Sequence, residues 1–194
     1  MNEAQWRLNK YQRGQQGFDS IILFFEQISR EMRWQSGNQI RAYAANSVIL
    51  ALENANETVG AIHIVRGNTE EGMPILTVWP ELTPQNIAEY ADIALLAIAP
   101  AHRGNALAPW LLIAEAWRYG KQQNLLKVLG EVPVANLPAY NRIGWPWKKI
   151  GAARLHWGEL CYPCTLDFDE LESNAAHRAK TSALHKEVLA SMYR

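Results

Sequence analysis

Six consecutive residues, Arg103, Gly104, Asn105, Ala106, Leu107 and Ala108, stand where an apolar run gives way to a helical pattern, and they could hold a phosphate. Ile93, Leu95, Leu96 and Ile98 make a run of strand length, which Pro100 closes because proline cannot donate to a sheet ladder. Apolar residues then recur at Leu107, Leu111, Leu112, Ala114 and Trp117, so a helix begins close to Asn105 or Ala106. Pro109 is tolerated in its first turn, where a missing N–H loses no partner. A turn of small residues entering a helix aims several backbone N–H groups and the positive end of the helix dipole at one place, which suits a phosphate. An ordinary strand-to-helix turn has the same sequence, so the rest of the chain must decide.

Other reactive side chains point less far. Cys161 and Cys164 have the C-x-x-C spacing, but their flanks alternate as strands do, whereas a redox pair needs a helix N-terminus to lower the first thiol's pKa. Two cysteines are also only half of a zinc site, and no metal is expected. His63 falls inside a strand pattern, where a core or surface histidine is the ordinary reading.

Composition narrows the classes. The 194 residues suit one domain, 1–194. The 19 basic residues balance 19 acidic ones, so no global field favours nucleic acid. SIILFF at 20–25 and ALLAIA at 94–99 are far below membrane-spanning length, and the first residues lack the apolar core of a secretory signal. A cytoplasmic protein is expected. Eight tryptophans suit an aromatic-rich core or an apolar pocket with rigid walls.

The elements that must position these residues follow in order. Residues 1–16 are polar and are expected to be poorly ordered. Asp19 is expected to cap a helix reaching about Trp34, since Ile22, Phe25, Ile28 and Met32 recur at helical spacing. The runs 47–53 and 58–66 predict an antiparallel hairpin. Pro74–Trp79 reads as a short strand, and Thr83 with Pro84 as a helix start. The helix after the turn is expected to stop at Gly120. Strand 125–132, a short helical segment from Asn136 to Gly144 and two further strand runs come next, and residues 169–194 pattern as a C-terminal amphipathic helix. The sum is an α/β protein with a mixed sheet and helices on both faces.

Arg103, Ala106 and Ala108 fall on the R-x-x-G-x-G/A pattern of the GNAT N-acyltransferase superfamily, and the element order resembles that fold. Tyr140-Asn-Arg-Ile-Gly144-Trp145 resembles its Y-x-x-x-G-F signature, with Asn136 near its usual asparagine. RIGWPWKKIG at 142–151 is similar to segments of autoinducer (acyl-homoserine lactone) synthases, and Arg30, Arg33 and Trp34 echo their arginine and tryptophan. LHWGELCYPC at 155–164 looks like a stretch of long-chain N-acyl amino acid synthases and exosortase-associated acyltransferases. No acidic residues match those that recognise S-adenosylmethionine, so homoserine lactone is not the expected product.

The resemblance implies a mostly antiparallel central sheet with a splayed central strand, and an acyl group passing from a pantetheine thioester directly to an amine such as that of an amino acid. Acyl-ACP (acyl carrier protein) or acyl-CoA (coenzyme A) would be the co-substrate, with no permanently bound cofactor. It implies that Arg103, Gly104, Asn105, Ala106, Leu107 and Ala108 hold the donor's phosphate, with Leu96, Ala97, Ile98 and Asn136 along its pantetheine. It gives Asp92 the place of the acidic base, with Glu89 as the near alternative, and Tyr140 the place of the acid that protonates the departing thiolate. Arg142, Lys148 and Lys149, with Arg154, make a basic stretch that could meet an acidic carrier protein. An acetyl-CoA-dependent acetyltransferase and a catalytically silent GNAT-like binding protein are the other readings.

Overall fold

The computed structural model describes residues 6–34, 39–55, 57–68, 70, 72–125 and 127–194. Eight strands form one sheet in the order β1-β2-β3-β4-β5-β8-β6, with β7 also paired to β8. They are β1 (Arg7–Tyr11), β2 (Ser47–Glu53), β3 (Thr58–Arg66), β4 (Tyr90–Ile98), β5 (Lys127–Pro133), β6 (Trp147–Lys149), β7 (Arg154–His156) and β8 (Glu159–Leu166). The helices are α1 (Phe18–Glu31), α2 (Gln39–Ala42), α3 (Leu107–Gln122), α4 (Leu137–Ile143), α5 (Phe168–Ala179) and α6 (Ala183–Met192). Among the described residues only β4 and β5 run parallel, and every other pairing is antiparallel.

The alternation of each strand divides the core in two. Val48, Leu50, Ile62 and Ile64 face α3 and pack with Leu112 and Trp117, which α5 and α6 cover through Phe168, Leu171 and Val188. Ile49, Ala51, Ala61, Leu95 and Ala97 face the other way, against Ile21, Ile22, Phe25 and Ile28 of α1. Helices therefore cover both faces, as the sequence predicts.

The hairpin β2–β3 and the helical segment ending at Gly144 lie where the patterns put them; Gly144 closes α4 in the left-handed region, at φ 105°. Other expectations are corrected. Residues 7–11 form the edge strand β1, which Tyr11 and Asn9 fasten by donating to Glu53 at 2.7 and 2.5 Å; residues 1–5 lie outside the described residues. Asp19 lies in the first turn of α1 and not at its cap, which is Gly17. Pro74–Thr77 is a 3-10 turn, because β4 already has a neighbour on each side and Ile75 and Trp79 are needed in a third cluster with Leu129 and Cys161. Thr83 starts no α-helix; a 3-10 turn, Ile87–Glu89, leads directly into β4, whose first residue pairs with Lys127. The C-terminal helix is two helices. Asp167 caps α5 by accepting from Asp169 and Glu170 N–H, and Ser182 begins α6 by accepting from His185 N–H.

Gly120 does not end α3, which runs on to Gln122. A Cβ there would lie 2.0 Å from the Phe168 ring, so the glycine marks a close approach of α5 and not a cap.

Candidate active site

Strands β4 and β5 share a parallel ladder only from Tyr90↔Lys127 to Ile93↔Gly130. Beyond that point β4 stays with β3 through Gly60↔Ile98, while β5 stays with β8 through Pro133↔Cys161. The two strands splay, and their facing backbones have no ladder between them. A cavity of about 150 Å³ fills the wedge. Its walls carry Ile93 to Leu96 from β4, Gly130 to Pro133 from β5, Ile113 of α3, Asn136 and Tyr140, and the indoles of Trp34, Trp145, Trp147 and Trp157. Both readings of the tryptophan count have a place: Trp34, Trp145, Trp147 and Trp157 wall this pocket, and Trp79, Trp110 and Trp117 are buried in the core.

Each donor-side residue named from the sequence has a definite place. Leu96 lines the cavity, and Ala97 and Ile98 complete β4 beyond it. The 3-10 turn Pro100–His102 then leads into Arg103 to Ala106 and α3. Gly104 takes φ 92°, which strains any other residue, and a Cβ there would meet nothing within 4 Å, so the turn opens on free space. Asn105 Oδ1 accepts from Leu107 N–H at 2.8 Å and caps the helix, which begins at the predicted place. Leu107 and Ala108 are buried and Ala106 is exposed. The Arg103 guanidinium donates to Ile98 O at 3.2 Å and pairs with Glu31 at 2.5 Å, so a phosphate at the turn would share it or displace Glu31.

Tyr140 lies on the α4 side of the cavity with its ring 5.1 Å from that of Trp145. Burial raises its pKa, and a hydrogen bond with the Asn136 side chain opposes the rise. The structure thus joins Asn136 to Tyr140.

Asp92 is fully buried, and its Oδ2 accepts from Ile75 N–H at 2.8 Å. Burial pushes its pKa up to about 7. Glu89 stands apart from this site on the turn before β4, with Asn86 donating to it at 2.6 Å.

Two carboxyls were not picked out by the sequence reading. Glu131 lines the cavity on β5 with its side chain 3 % exposed; burial and then the charge of Asp92 raise its pKa well above the usual range. Its Oε1 is 3.5 Å from His156 Nδ1, whose pKa burial lowers to about 4, so the imidazole is neutral and gives Glu131 no positive partner. Glu159, also in the wall, accepts from Trp34 Nε1 at 3.5 Å. The signal for Glu131 was present, since a carboxylate in the middle of VLGEV is out of place in a buried strand. For Glu159, an ordinary alternating strand position, there was none.

The remaining candidates are structural. Cys161 and Cys164 are buried thiols on β8, both pushed up to about 12 mainly by burial, which suits packing and not redox chemistry. His63 is 1 % exposed, and burial lowers its pKa to about 4. Of the basic stretch, Lys148 pairs with Glu170, and Arg154 reaches Glu81 at 2.7 Å. Lys149 stands 4.5 Å over the Tyr162 ring, and Arg142 is exposed on α4. Among the described residues no cluster of His, Cys, Asp and Glu could hold a metal, and no helix is long and apolar enough to cross a membrane.

No protein-family model matches the chain, and no curated protein matches it in sequence. Solved structures do match in fold. FeeM, an N-acyl amino acid synthase from uncultured soil microbes, aligns with TM-score 0.71 at 12 % identity, over 87 % of this chain and 95 % of its own. BjaI, a CoA-dependent acyl-homoserine lactone synthase solved with SAM and isopentyl-CoA, aligns with TM-score 0.67 at 15 % identity, over 94 % of this chain and 98 % of its own. The acyl-homoserine lactone synthase LasI gives 0.60 at 16 % identity, over 84 % and 90 %. The chain shares the fold of these proteins.

Proposed function

We propose that this protein is an N-acyltransferase that moves an acyl group, of fatty length, from a pantetheine thioester to the amine of a small acceptor. The observation that carries the reading is the splay of β4 from β5 beyond Ile93↔Gly130, with an apolar, tryptophan-walled cavity in the wedge. Backbone groups freed from the ladder suit the amides of a pantetheine arm, and the indoles with Ile93, Leu95 and Ile113 suit an alkyl chain. The turn Arg103 to Ala108, at the end of the same strand, suits the phosphate at the far end of that arm. BjaI, solved with isopentyl-CoA, is the precedent for a CoA donor, and FeeM for an amino acid acceptor.

The chemistry asks for direct attack without a covalent enzyme intermediate. The acceptor's ammonium gives up a proton to a carboxyl of the Asp92 and Glu131 pair; its nitrogen then attacks the thioester carbonyl. Tyr140 donates a proton to the sulfur as the C–S bond breaks. Glu131 and Glu159 in the wall favour a positively charged acceptor over a neutral one.

The test is an assay of free thiol released from acyl-CoA of two to twelve carbons in the presence of pooled amino acids and amines, with products identified by mass spectrometry. N-acyl products that increase with chain length are expected. A preference for acetyl-CoA would make the protein a plain acetyltransferase, and no thiol release with any donor, including acyl carrier protein, would leave it a binding protein.

A further inference from the structure

The two buried carboxyls beside the cavity are not equivalent. Asp92 pairs with Leu129 in the parallel ladder, so Glu131, two residues further along β5, projects from the same face as Leu129 and Asp92. Glu131 is in the wall of the cavity, one residue past the last pair of the ladder, and its Oε1 has no hydrogen-bond partner among the described residues. Asp92 is off that wall, wholly buried, with one oxygen committed to Ile75 N–H. The titratable groups around Glu131 are Asp92 on β4, His156 on β7, and Cys161 and Glu159 on β8, with Tyr140 across the cavity. None of them is a cation, because His156, the one basic group among them, is neutral. Two carboxyls so placed hold one negative charge between them more readily than two.

We infer that Glu131, and not Asp92, accepts the proton from the acceptor ammonium, and that Asp92, held off the cavity wall by Ile75 N–H, is a positioning residue that acts through Glu131. This rests on the acyl-transfer reading above. In the step, an ammonium N–H bond breaks and its proton goes to a Glu131 carboxylate oxygen. The nitrogen lone pair forms the new C–N bond, and the thioester C–S bond breaks with its electrons on sulfur. The nitrogen loses its second proton to solvent as the amide forms; Tyr140, having given its proton to the sulfur, takes one back from solvent, and Glu131 returns its proton to solvent.

Three variants separate the roles, each checked for native circular dichroism and assayed for kcat, KM and the pH profile of kcat/KM. Glu131→Gln is expected to lower kcat by about a hundred- to ten-thousandfold with KM within about twofold, the usual range for one general base. Glu131→Asp should recover part of that loss, which a packing role would not predict. Asp92→Asn should lower kcat by clearly less than Glu131→Gln does and move the acid limb of the profile down by about one pH unit, because the charge that raised the Glu131 pKa is gone. Equal loss in Asp92→Asn and Glu131→Gln, or an unmoved acid limb in Asp92→Asn, would overturn the assignment. Carbon-13 NMR of the two carboxyls serves where no transfer is seen with the wild-type protein: the acyl-transfer reading then fails, while the pair is still expected to titrate in two coupled steps. Independent titration of both carboxyls in the ordinary range would overturn the inferred pair by itself.

Discussion

At the scale of single residues, burial among groups from three strands sets what Glu131 can do as a base. A pattern names positions, but the strength of a carboxyl as a base depends on what surrounds it in space. The neighbours of Glu131 come from β4, β7 and β8, as far as 39 positions away at Asp92 and 25 at His156. Asp92 was named for its place at the head of a strand, and only the structure puts it off the cavity wall. Tyr140 is the residue whose role is easiest to isolate, since removing its hydroxyl leaves the ring to pack on Trp145. Burial raises the Tyr140 pKa, so the phenol stays protonated until the thiolate, a strong base as the bond breaks, takes the proton. Tyr140→Phe should therefore lower kcat by roughly ten- to a thousandfold while KM for the thioester changes little. Single-turnover kinetics, in which chemistry is observed directly, would check this, and an unchanged rate would return Tyr140 to packing.

At the scale of elements, period and punctuation carried most of what the sequence disclosed. The hairpin β2–β3 and the strand-turn-helix from β4 into α3 were legible because strand alternation, turn residues and proline all agree there. What failed was decided by tertiary contact. Gly120 carries the letter of a helix stop, yet it lies inside α3 because the Phe168 ring presses on it, and Trp117 Nε1 fastens the same crossing by donating to Phe168 O at 3.1 Å. Gly120→Ala gains helix propensity of about 1 kcal/mol but overpacks a buried crossing, which costs about 1–3 kcal/mol. A net loss is expected, seen as a Tm lowered by about 2–5 °C in a chain of this size; a raised Tm would mean that α5 moves away at little cost. The turn before α3 makes the opposite kind of prediction. Ala106 is exposed, so Ala106→Asp should leave Tm nearly unchanged while it sets like charge against a phosphate. Donor affinity, measured by calorimetry with a non-hydrolysable acyl-CoA analogue, should fall by about tenfold, and equal affinity would remove the turn from the donor site.

At the scale of the whole molecule, zero net charge leaves recognition of a macromolecular donor to local charge, and the structure redistributes the basic stretch that the sequence gathers at 142–154. Lys148 is compensated by Glu170 and Arg154 by Glu81, so reversing either would first break an ion pair of the fold. Arg142 and Lys149 have no acidic partner among the described residues. Arg142 follows Tyr140 by two residues on α4, and Lys149 follows Trp147 by two on β6, so both are exposed on elements that also supply the cavity wall. An acyl carrier protein is strongly acidic, and two exposed cations on these elements would raise its encounter rate by steering that salt suppresses, since the screening length shrinks from about 30 Å at 0.01 M to about 10 Å at 0.1 M. The double reversal Arg142→Glu with Lys149→Glu is therefore expected to lower kcat/KM for acyl carrier protein about three- to tenfold at low salt, and less at 0.2 M. An acyl-pantetheine of the same chain length, which carries no phosphate, should react with the variant as it does with the parent. Equal losses with both donors would place the damage in the cavity itself, and a loss that ignores salt would end the case for a carrier protein at this face.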